Sequence, residues 1–340
     1  MASASHPEGD GLPLAGLTLS VVGPGRVGTS LTCWAVAAGA SPAAVAGRTE
    51  EPAASLAARL GGEPATLEEV DTSDADLLLV AVADGALREV AGILARRPQA
   101  RVVLHTSGSR GSSVLLPLEE HGSSVGSFHP LRAFPRVLPD LESAAGTFFA
   151  LDGGPEAVAL GRRLASAFGG TAEVVSEEDR ELYHLAASTA AGGVATLVVS
   201  ALALAREIGL PDAVRKGYLE LARGALAAVG ENLEGPPGAG TGEAAGGPER
   251  AITGPLARGD AGTFLRELDA LRRRSGGGGP GEPSATRREK AAPEASPARI
   301  PALGHLAVET VRLCAGDAAA RRLSRTLEDG GFLDPPESRC

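Results

Sequence analysis

Lysine is almost missing from this chain: only Lys216 and Lys290 occur among 340 residues, so arginine carries nearly all of the positive charge. With the high content of alanine, glycine and proline, this indicates a GC-rich coding bias and points to no function. The net charge is −10. Because binding to nucleic acid needs a basic face, we expect no nucleic-acid partner, although one arginine and a helix end could still hold a phosphate.

Cysteine is also scarce. Cys33, Cys314 and Cys340 are odd in number and widely spaced, which is typical of neither a disulfide framework nor a zinc site. We therefore expect no metal site and a reducing, cytoplasmic location. The opening residues, MASASHPEGD, lack the basic start and the apolar core of a signal peptide.

Long apolar runs are limited to one segment. Residues 185–205 contain no charged side chain, and the segment is long enough to cross a bilayer. Its composition is mostly Ala, Ser, Thr and Gly, with Gly192 and Gly193 in the middle and no flanking basic cluster. We therefore predict a buried helix and no membrane partner.

The first half of the chain alternates short apolar strands with helices. The strands are expected at 17–22, up to 46, 76–83, 101–105, 123–128, 147–151 and 173–175, and helices at 27–38, 85–96 and 155–168. The continuous apolar run at 76–83 is typical of a parallel strand covered on both faces. We predict a disordered tail over 1–16 and an α/β Rossmann domain over 17–176, with a doubly wound, mainly parallel sheet.

The pattern becomes helical after Ser176. One long helix is expected to reach about Ile208, where Gly209 and Pro211 stop it. Further helices are predicted over 211–229, 260–274 and 303–327, with Asp260 as an N-cap. Flexible insertions are expected at 235–249 and 275–299, because both are rich in Gly and Pro. An all-α domain over 177–334 follows from this pattern.

The sharpest motif is Gly23-Pro-Gly25-Arg-Val-Gly28, between the first strand and the first helix. The first glycine permits a tight turn, the second lets a pyrophosphate approach the backbone, and the third lets helix and strand pack closely. Arg26 and Val27 open the helix whose N–H groups would face the phosphates. The motif predicts a dinucleotide site.

The end of the second strand indicates which dinucleotide binds. NAD-binding versions of this motif place an acidic residue there to hold the ribose hydroxyls. This chain has Arg48 and Thr49 instead, and both side chains could bind a 2′-phosphate. The sequence therefore favours NADP(H), while a solvated role for Arg48 is the alternative.

Polar residues follow the fourth and fifth strands, at the edge where ligands of open α/β sheets bind. We count Ala83 and Ser107 as cofactor contacts. Asp84 either caps the next helix or contacts the ligand. His105 is a candidate substrate contact or a histidine at the edge of the core.

Two further groups are candidates for proton transfer. His129 ends the sixth strand and is followed by a proline turn and Arg132, which could place an acid/base group beside an anion-binding group. Tyr183 and His184 begin the long helix, and each could donate a proton to a carbonyl oxygen. The alternatives are that Tyr183 packs and that His184 faces solvent.

Five motifs, in this order, resemble a family of Rossmann-type oxidoreductases whose C-terminal half is a domain of unknown function, number 2520. They are GPGRVG, HTSGS, GSFHPLRAF, YHLAA and ITGPLARGD, within Leu17 to Leu271. That family is similar to ketopantoate reductase, pyrroline-5-carboxylate reductase, prephenate dehydrogenase and the deazaflavin-linked NADP reductases.

This resemblance implies an N-terminal NADP(H) site and a C-terminal domain of the 6-phosphogluconate-dehydrogenase-like type that closes the crevice. It also implies a homodimer and makes ketopantoate the leading small-molecule substrate. The chain departs from the pattern at Gly192, where the family resemblance leads one to expect Asn, and it has no Lys in the long helix.

Three functions remain open on the sequence. The first is an NADPH-dependent reductase of a small 2-oxo acid, with Arg132 holding the substrate and His129 or His184 donating the proton. The second is a non-catalytic NADP(H)-binding regulator or scaffold, favoured by Gly192 and the missing Lys. The third is a prephenate-type dehydrogenase, which rests on the His129-Pro130 turn.

Overall fold

The structure is a computed structural model that describes residues 12–233, 248–258, 260–274, 306–308, 310 and 317–333. The chain divides into two compact units, Met1–Val194 and Ala195–Cys340. The predicted insertion 275–299 lies outside the described residues, and so does most of 235–249. Pro248–Ala251 is an exception, because it forms a short 3-10 helix.

The first unit is built on one sheet of eight strands in the order β3-β2-β1-β4-β5-β6-β7-β8. The strands are β1 Thr18–Val22, β2 Ser41–Gly47, β3 Glu63–Thr66, β4 Leu77–Val80, β5 Val102–His105, β6 Ser124–Leu131, β7 Phe148–Gly153 and β8 Thr171–Val174. All neighbouring pairs are parallel except β6 and β7, which are antiparallel. The predicted α/β Rossmann architecture with a mainly parallel sheet is confirmed.

Alternate residues of the central strands feed two hydrophobic clusters, one on each face of the sheet. Leu77 and Leu79 of β4 lie in one cluster, and Leu78 and Val80 lie in the other. All four side chains are buried, which is why this strand is a continuous apolar run. The helices that alternate with the strands are α1 Arg26–Ala37, α2 Glu50–Leu60, α3 Leu87–Leu94 and α4 Pro155–Ala167.

The strand order reverses between β1 and β4, which are neighbours in the sheet although two strands separate them in sequence. Such a reversal opens a crevice at the carboxyl ends of the strands. The loops that follow β1, β4, β5 and β6 therefore meet near one edge. The candidate residues of the first unit lie at or near the ends of β1, β2, β4, β5 and β6, or in the helical segment that follows β8.

Two expectations for the first unit are wrong. The predicted disordered tail 1–16 is too long, because residues 13–16 form a turn and Leu14 is buried in the core. Strand β3, with the sequence EPAT, was not expected, because none of its four side chains is buried and its pattern carries no apolar signal.

The long helix is the largest difference in the helical part. It begins as α5, Arg180–Ser188, passes through one π-helical turn at Thr189–Gly193, and continues as α6, Val194–Glu207. It is long and apolar enough to cross a membrane by length and composition alone. Our prediction that it is buried is wrong for the single chain, since none of its most apolar window is buried.

The second unit is helical where it is described. After α6 come α7 Asp212–Glu231, α8 Ala261–Arg274 and α9 Asp317–Asp329. Asp260 caps α8 as predicted, because its Oδ1 accepts a hydrogen bond from the Thr263 amide at 3.0 Å. A small apolar cluster that includes Leu268, Leu323 and Leu327 forms its core.

Candidate functional site

The glycine turn after β1 has the close packing that its motif requires. Gly23 adopts a positive φ of 94°, and a Cβ there would lie 2.5 Å from the Ala81 carbonyl oxygen. A Cβ on Gly28 would lie 2.2 Å from the Gly23 carbonyl oxygen. Both positions therefore exclude any larger residue. Gly25 is different, because an added Cβ would meet nothing within 4 Å.

The space at Gly25 opens onto the N-terminus of α1. Gly25 is the N-cap of this helix, no side chain caps it, and its first turn contains no acidic residue. The first N–H groups of a helix have no acceptor within the helix and carry partial positive charge. Arg26 donates from Nη1 to the Pro135 carbonyl oxygen at 3.1 Å, and Val27 packs against the core. The turn has the room and the donors for a phosphate group.

Arg48 and Thr49 lie directly after β2, at the same edge of the sheet. The β1 and β2 ends are aligned through the pair Val22 and Ala46. Both Arg48 and Thr49 are exposed, and Thr49 is the N-cap of α2 without capping it through its side chain. The guanidinium of Arg48 and the hydroxyl of Thr49 are therefore accessible to a ligand beside the glycine turn.

The candidate residues on the loops after β4 and β5 differ in exposure and in their hydrogen-bond partners. Ala83 is exposed after β4, whereas Ser107 is buried after β5 and its Oγ accepts from the Arg110 amide at 3.1 Å. Asp84 does not cap α3, which has no side-chain cap. Its Oδ2 instead accepts from Ser109 Oγ at 2.7 Å, and this bond ties the two loops together.

His105 is a histidine of the core. Its side chain is fully buried, its Nδ1 accepts from the Ser107 amide at 3.2 Å, and its Nε2 lies 3.0 Å from the Gly111 carbonyl oxygen. With Nδ1 accepting, Nε2 carries the proton. Burial lowers the pKa of His105 to about 4. Because both ring nitrogens have backbone partners, the geometry does not support the predicted substrate contact.

His129 and Tyr183 form the central contact of the site. The His129 Nδ1 lies 2.8 Å from the Tyr183 hydroxyl, although the two residues are far apart in sequence. The His184 ring stands edge-on to His129, with centroids 5.8 Å apart. Gly108 lies against both imidazoles, since a Cβ there would be 2.5 Å from His184 Nδ1 and 2.7 Å from His129 Nε2. The structure thus brings all three predicted proton-transfer residues together.

The environment keeps the His129–Tyr183 pair neutral. Burial, then the neighbouring His184 and Arg180, lower the pKa of His129 to about 4. Burial raises the pKa of Tyr183 to about 12, against the opposing effect of Arg180. At neutral pH both groups are therefore uncharged, and the direction of their hydrogen bond follows the tautomer of His129. With the proton on Nδ1, the imidazole donates to the phenol oxygen and leaves the phenol proton free for a ligand.

These side chains line an open cavity of about 710 Å³. Its walls come from the end of β6, including Arg132, and from α5 and the π-helical turn, including Ala190, Ala191 and Gly192. Arg132 is exposed at the cavity and donates from Nη1 to Thr147 Oγ1 at 3.1 Å. A π-helical turn is common at functional sites. The lining is mostly apolar, with a few polar groups that converge at one end, as in small-molecule sites.

The sequence analysis missed Arg180. This residue begins α5, is fully buried, and has no hydrogen-bond partner for Nε, Nη1 or Nη2 among the described residues. A helical signal was available, because Arg180 precedes Tyr183 and His184 by one turn and so shares their face. The surrounding segment SEEDREL contains four acidic residues, and such a composition is typical of an exposed helix start.

Two domain families match this chain. A Rossmann-like domain matches residues 4–130, and a domain of unknown function (DUF2520) matches residues 147–278. The chain carries a Rossmann-like domain followed by a DUF2520 domain. The resemblance drawn from the five motifs is thereby confirmed. The DUF2520 domain begins before β7, so it includes the Tyr183–His184 face of the site, while the Rossmann-like domain supplies the glycine turn and His129.

Three of the solved structures to which this chain is similar carry oxidoreductase names. A candidate NADP oxidoreductase of Bacteroides fragilis is 25% identical, covers 77% of this chain and 93% of its own, and has a TM-score of 0.60. An imine reductase of Myxococcus stipitatus, solved with NADP+, is 17% identical over 91% of this chain and 99% of its own, with a TM-score of 0.58. A 1-pyrroline-5-carboxylate reductase of Streptococcus pyogenes is 14% identical over 91% and 98%, with a TM-score of 0.54.

The similarities to the imine reductase and to the 1-pyrroline-5-carboxylate reductase show the fold alone. A search of curated protein sequences returns no match.

Proposed function

We propose that the chain is an NADP(H)-dependent oxidoreductase that reduces the carbonyl group of a small 2-oxo acid. The observation that carries the proposal is the hydrogen-bonded pair of His129 and Tyr183 at the cavity. It lies at the edge of the sheet that also holds the glycine turn. The kinship with proteins named as NADP oxidoreductases supports the same reaction class.

The cofactor would be held by the turn Gly23–Gly28, with its pyrophosphate over Gly25 and the N-terminus of α1. This placement is supported by the open space at Gly25 and by the uncapped helix. Arg48 and Thr49 would bind the 2′-phosphate, and Ala83 and Ser107 would border the nicotinamide side. When bound, the dinucleotide supplies the hydride.

The residues of the chain manage the proton. Reduction of a carbonyl adds a hydride to carbon and a proton to oxygen, so the site needs a neutral acid beside the oxygen. Tyr183 is such an acid, because it keeps its proton to about pH 12. His129 orients the phenol through Nδ1 and stays neutral down to about pH 4. His184 borders the same space, and Arg132 would contact the substrate at the exposed side.

Cofactor titration of the Arg48→Ala variant tests this proposal. Loss of one charged contact to a phosphate weakens NADPH binding by about 10- to 100-fold, whereas NADH binding changes little because NADH lacks the 2′-phosphate. Arg88→Ala, which removes an exposed arginine of α3, is the matched control and leaves both affinities unchanged. Equal losses for the two cofactors would remove Arg48 from the phosphate site.

Turnover completes the test. The wild-type protein with NADPH is assayed against a panel of 2-oxo acids that includes ketopantoate. Oxidation of NADPH with one of them supports the reductase. Binding of NADPH without any turnover would instead favour a non-catalytic regulator.

We further propose that the chain is a homodimer through its C-terminal helices. Val199 on α6 is 64% exposed, and Leu221 and Leu226 on α7 are 69% and 51% exposed. Large apolar side chains exposed on two successive helices support an interface between subunits.

A further inference from the structure

Arg180 is the least satisfied charged group of the site. Its side chain has 0% exposure, and none of its three guanidinium nitrogens has a hydrogen-bond partner among the described residues. Removing a charge from water without pairing it costs several kcal/mol. A ligand that pairs with the guanidinium would offset this unfavourable free energy.

The charged neighbours of Arg180 do not form an ion pair with it among the described residues. Asp152 and Glu177 attract the guanidinium, but neither carboxylate is within ion-pair distance among the described pairs. Asp152 Oδ2 is taken by the Ser112 amide at 2.7 Å, and Glu177 Oε1 is taken by the Ser113 hydroxyl. Arginine stays protonated even when buried, so the positive charge remains and its donors stay free.

Arg180 shares a face of α5 with two residues that line the cavity. Arg180 lies one helical turn before Tyr183 and His184, which line the cavity. Its charge contributes to the lowered pKa of His105 and His129 and opposes the rise in the pKa of Tyr183. The guanidinium is thus close enough to the His129–Tyr183 pair to interact with it electrostatically.

We propose that Arg180 is the anion-binding residue of this site and that its ligand is the carboxylate of the substrate. The inference rests on the proposed function and deepens it, because it names the residue that binds the carboxylate of the 2-oxo acid. A carboxylate can take two parallel N–H bonds from one guanidinium. Because the guanidinium has no exposed surface in the free chain, the proposal requires neighbouring side chains to move when the carboxylate binds.

Arg132 lines the cavity itself, but it is less suited to this role. It is exposed and already donates to Thr147. An ion pair in contact with water is worth little, since water screens the attraction. The buried Arg180 gives a stronger and more selective contact with an anion.

The first measurement is the melting temperature of the free protein. Arg180→Met replaces the guanidinium by an apolar side chain of similar length and removes an unpaired buried charge. We expect this variant to melt at a higher temperature than the wild type, because an arginine kept for binding is a burden on the fold. A lower melting temperature would show that Arg180 stabilises the fold and would overturn the proposal.

The second measurement is ligand binding by calorimetry. The probes are 2-oxoisovalerate, malonate and acetate, with the neutral ketone 3-methyl-2-butanone as the matched ligand that lacks a carboxylate. We expect at least one acid to bind the wild type and the ketone not to bind. Arg180→Met should weaken the acid by about 10- to 100-fold, Arg180→Lys should weaken it less, and Arg88→Met should leave it unchanged.

The outcomes separate this inference from the proposed function. Unchanged acid binding in Arg180→Met, equal binding of acid and ketone, or no acid binding by the wild type would each overturn the role of Arg180. NADPH affinity is measured on the same samples. A wild type that binds the acid through Arg180 but no NADPH would refute the oxidoreductase and leave the anion site standing.

Discussion

The two buried histidines make the stability of the Rossmann-like domain depend on pH. Burial lowers the pKa of His105 and of His129 from 6.5 to about 4. The unfolded chain therefore binds more protons than the native chain between pH 6.5 and 4. The stabilisation is complete above pH 6.5 and is lost as pH falls towards 4, by roughly 3 kcal/mol for each histidine.

A variant without one of these histidines tests the effect. Replacement by His105→Gln removes one titrating group and lowers the slope of unfolding free energy against pH by about 1.4 kcal/mol per pH unit near pH 5. Urea unfolding between pH 4.5 and 7 measures the slope. An unchanged slope would mean that His105 titrates normally in the folded protein.

Tyr183 provides the prediction about chemistry. Removing its hydroxyl in Tyr183→Phe deletes the proton donor and the bond to His129, while the cavity keeps its shape. We expect kcat to fall by about 100- to 10,000-fold, the range of general acid catalysis. Cofactor affinity should stay within twofold, as measured by titration with NADPH. Full turnover in the variant would transfer the role to His184 or His129.

How well single residues can be predicted depends on whether their signal is local. His129 and Tyr183 were found because each stands at the end of a strand or the start of a helix with a distinctive neighbour. Their hydrogen bond was not predictable, since it joins two parts of the chain that only the fold brings together. The buried state of Arg180 was not predictable for the same reason, because burial is set by the fold and leaves no signal in the local sequence.

At the scale of the elements, two glycines of the turn after β1 allow stability and cofactor binding to be tested separately. Gly28→Ala places a Cβ 2.2 Å from the Gly23 carbonyl oxygen, so β1 and α1 must move apart. We expect a loss of about 1–3 kcal/mol in the free energy of unfolding. Thermal or urea unfolding gives the value, and a change below 0.5 kcal/mol would contradict the close contact.

Gly25→Ala is the matched variant at the same turn. Its Cβ would meet no atom of the protein, so stability should change little, whereas the methyl group occupies the space of the pyrophosphate. NADPH affinity is expected to fall at least tenfold with an unchanged melting temperature. Normal binding in this variant would place the dinucleotide elsewhere.

Most elements of the sheet could be predicted because their apolar residues are buried on both faces. Strand β3 was not predicted, since it lies at the edge of the sheet and its side chains are at least partly exposed. The π-helical turn at Thr189–Gly193 was not predicted, because one extra residue in a helix does not change the pattern of an alanine-rich sequence detectably. The exposure of the long helix was missed because composition alone does not tell whether a partner covers an apolar surface.

At the scale of the whole molecule, the exposed side chains of α6 and α7 predict self-association. Replacing Leu221 by Glu puts a charge on a side chain that is 69% exposed in the single chain. If that face is an interface, the charge is desolvated there and the dimer dissociates. Light scattering after size exclusion should give the dimer mass for the wild type and the monomer mass for Leu221→Glu. A monomeric wild type would refute the homodimer.

The single tryptophan of the chain has an experimental consequence. Trp34 lies on α1, the helix that begins at the glycine turn, and it is fully buried against Phe134 and Phe168. Its fluorescence therefore reports on the packing of α1 within the first unit. A reduced nicotinamide bound nearby would quench that emission by energy transfer, so the protein contains its own optical probe for cofactor binding and for the unfolding of one domain.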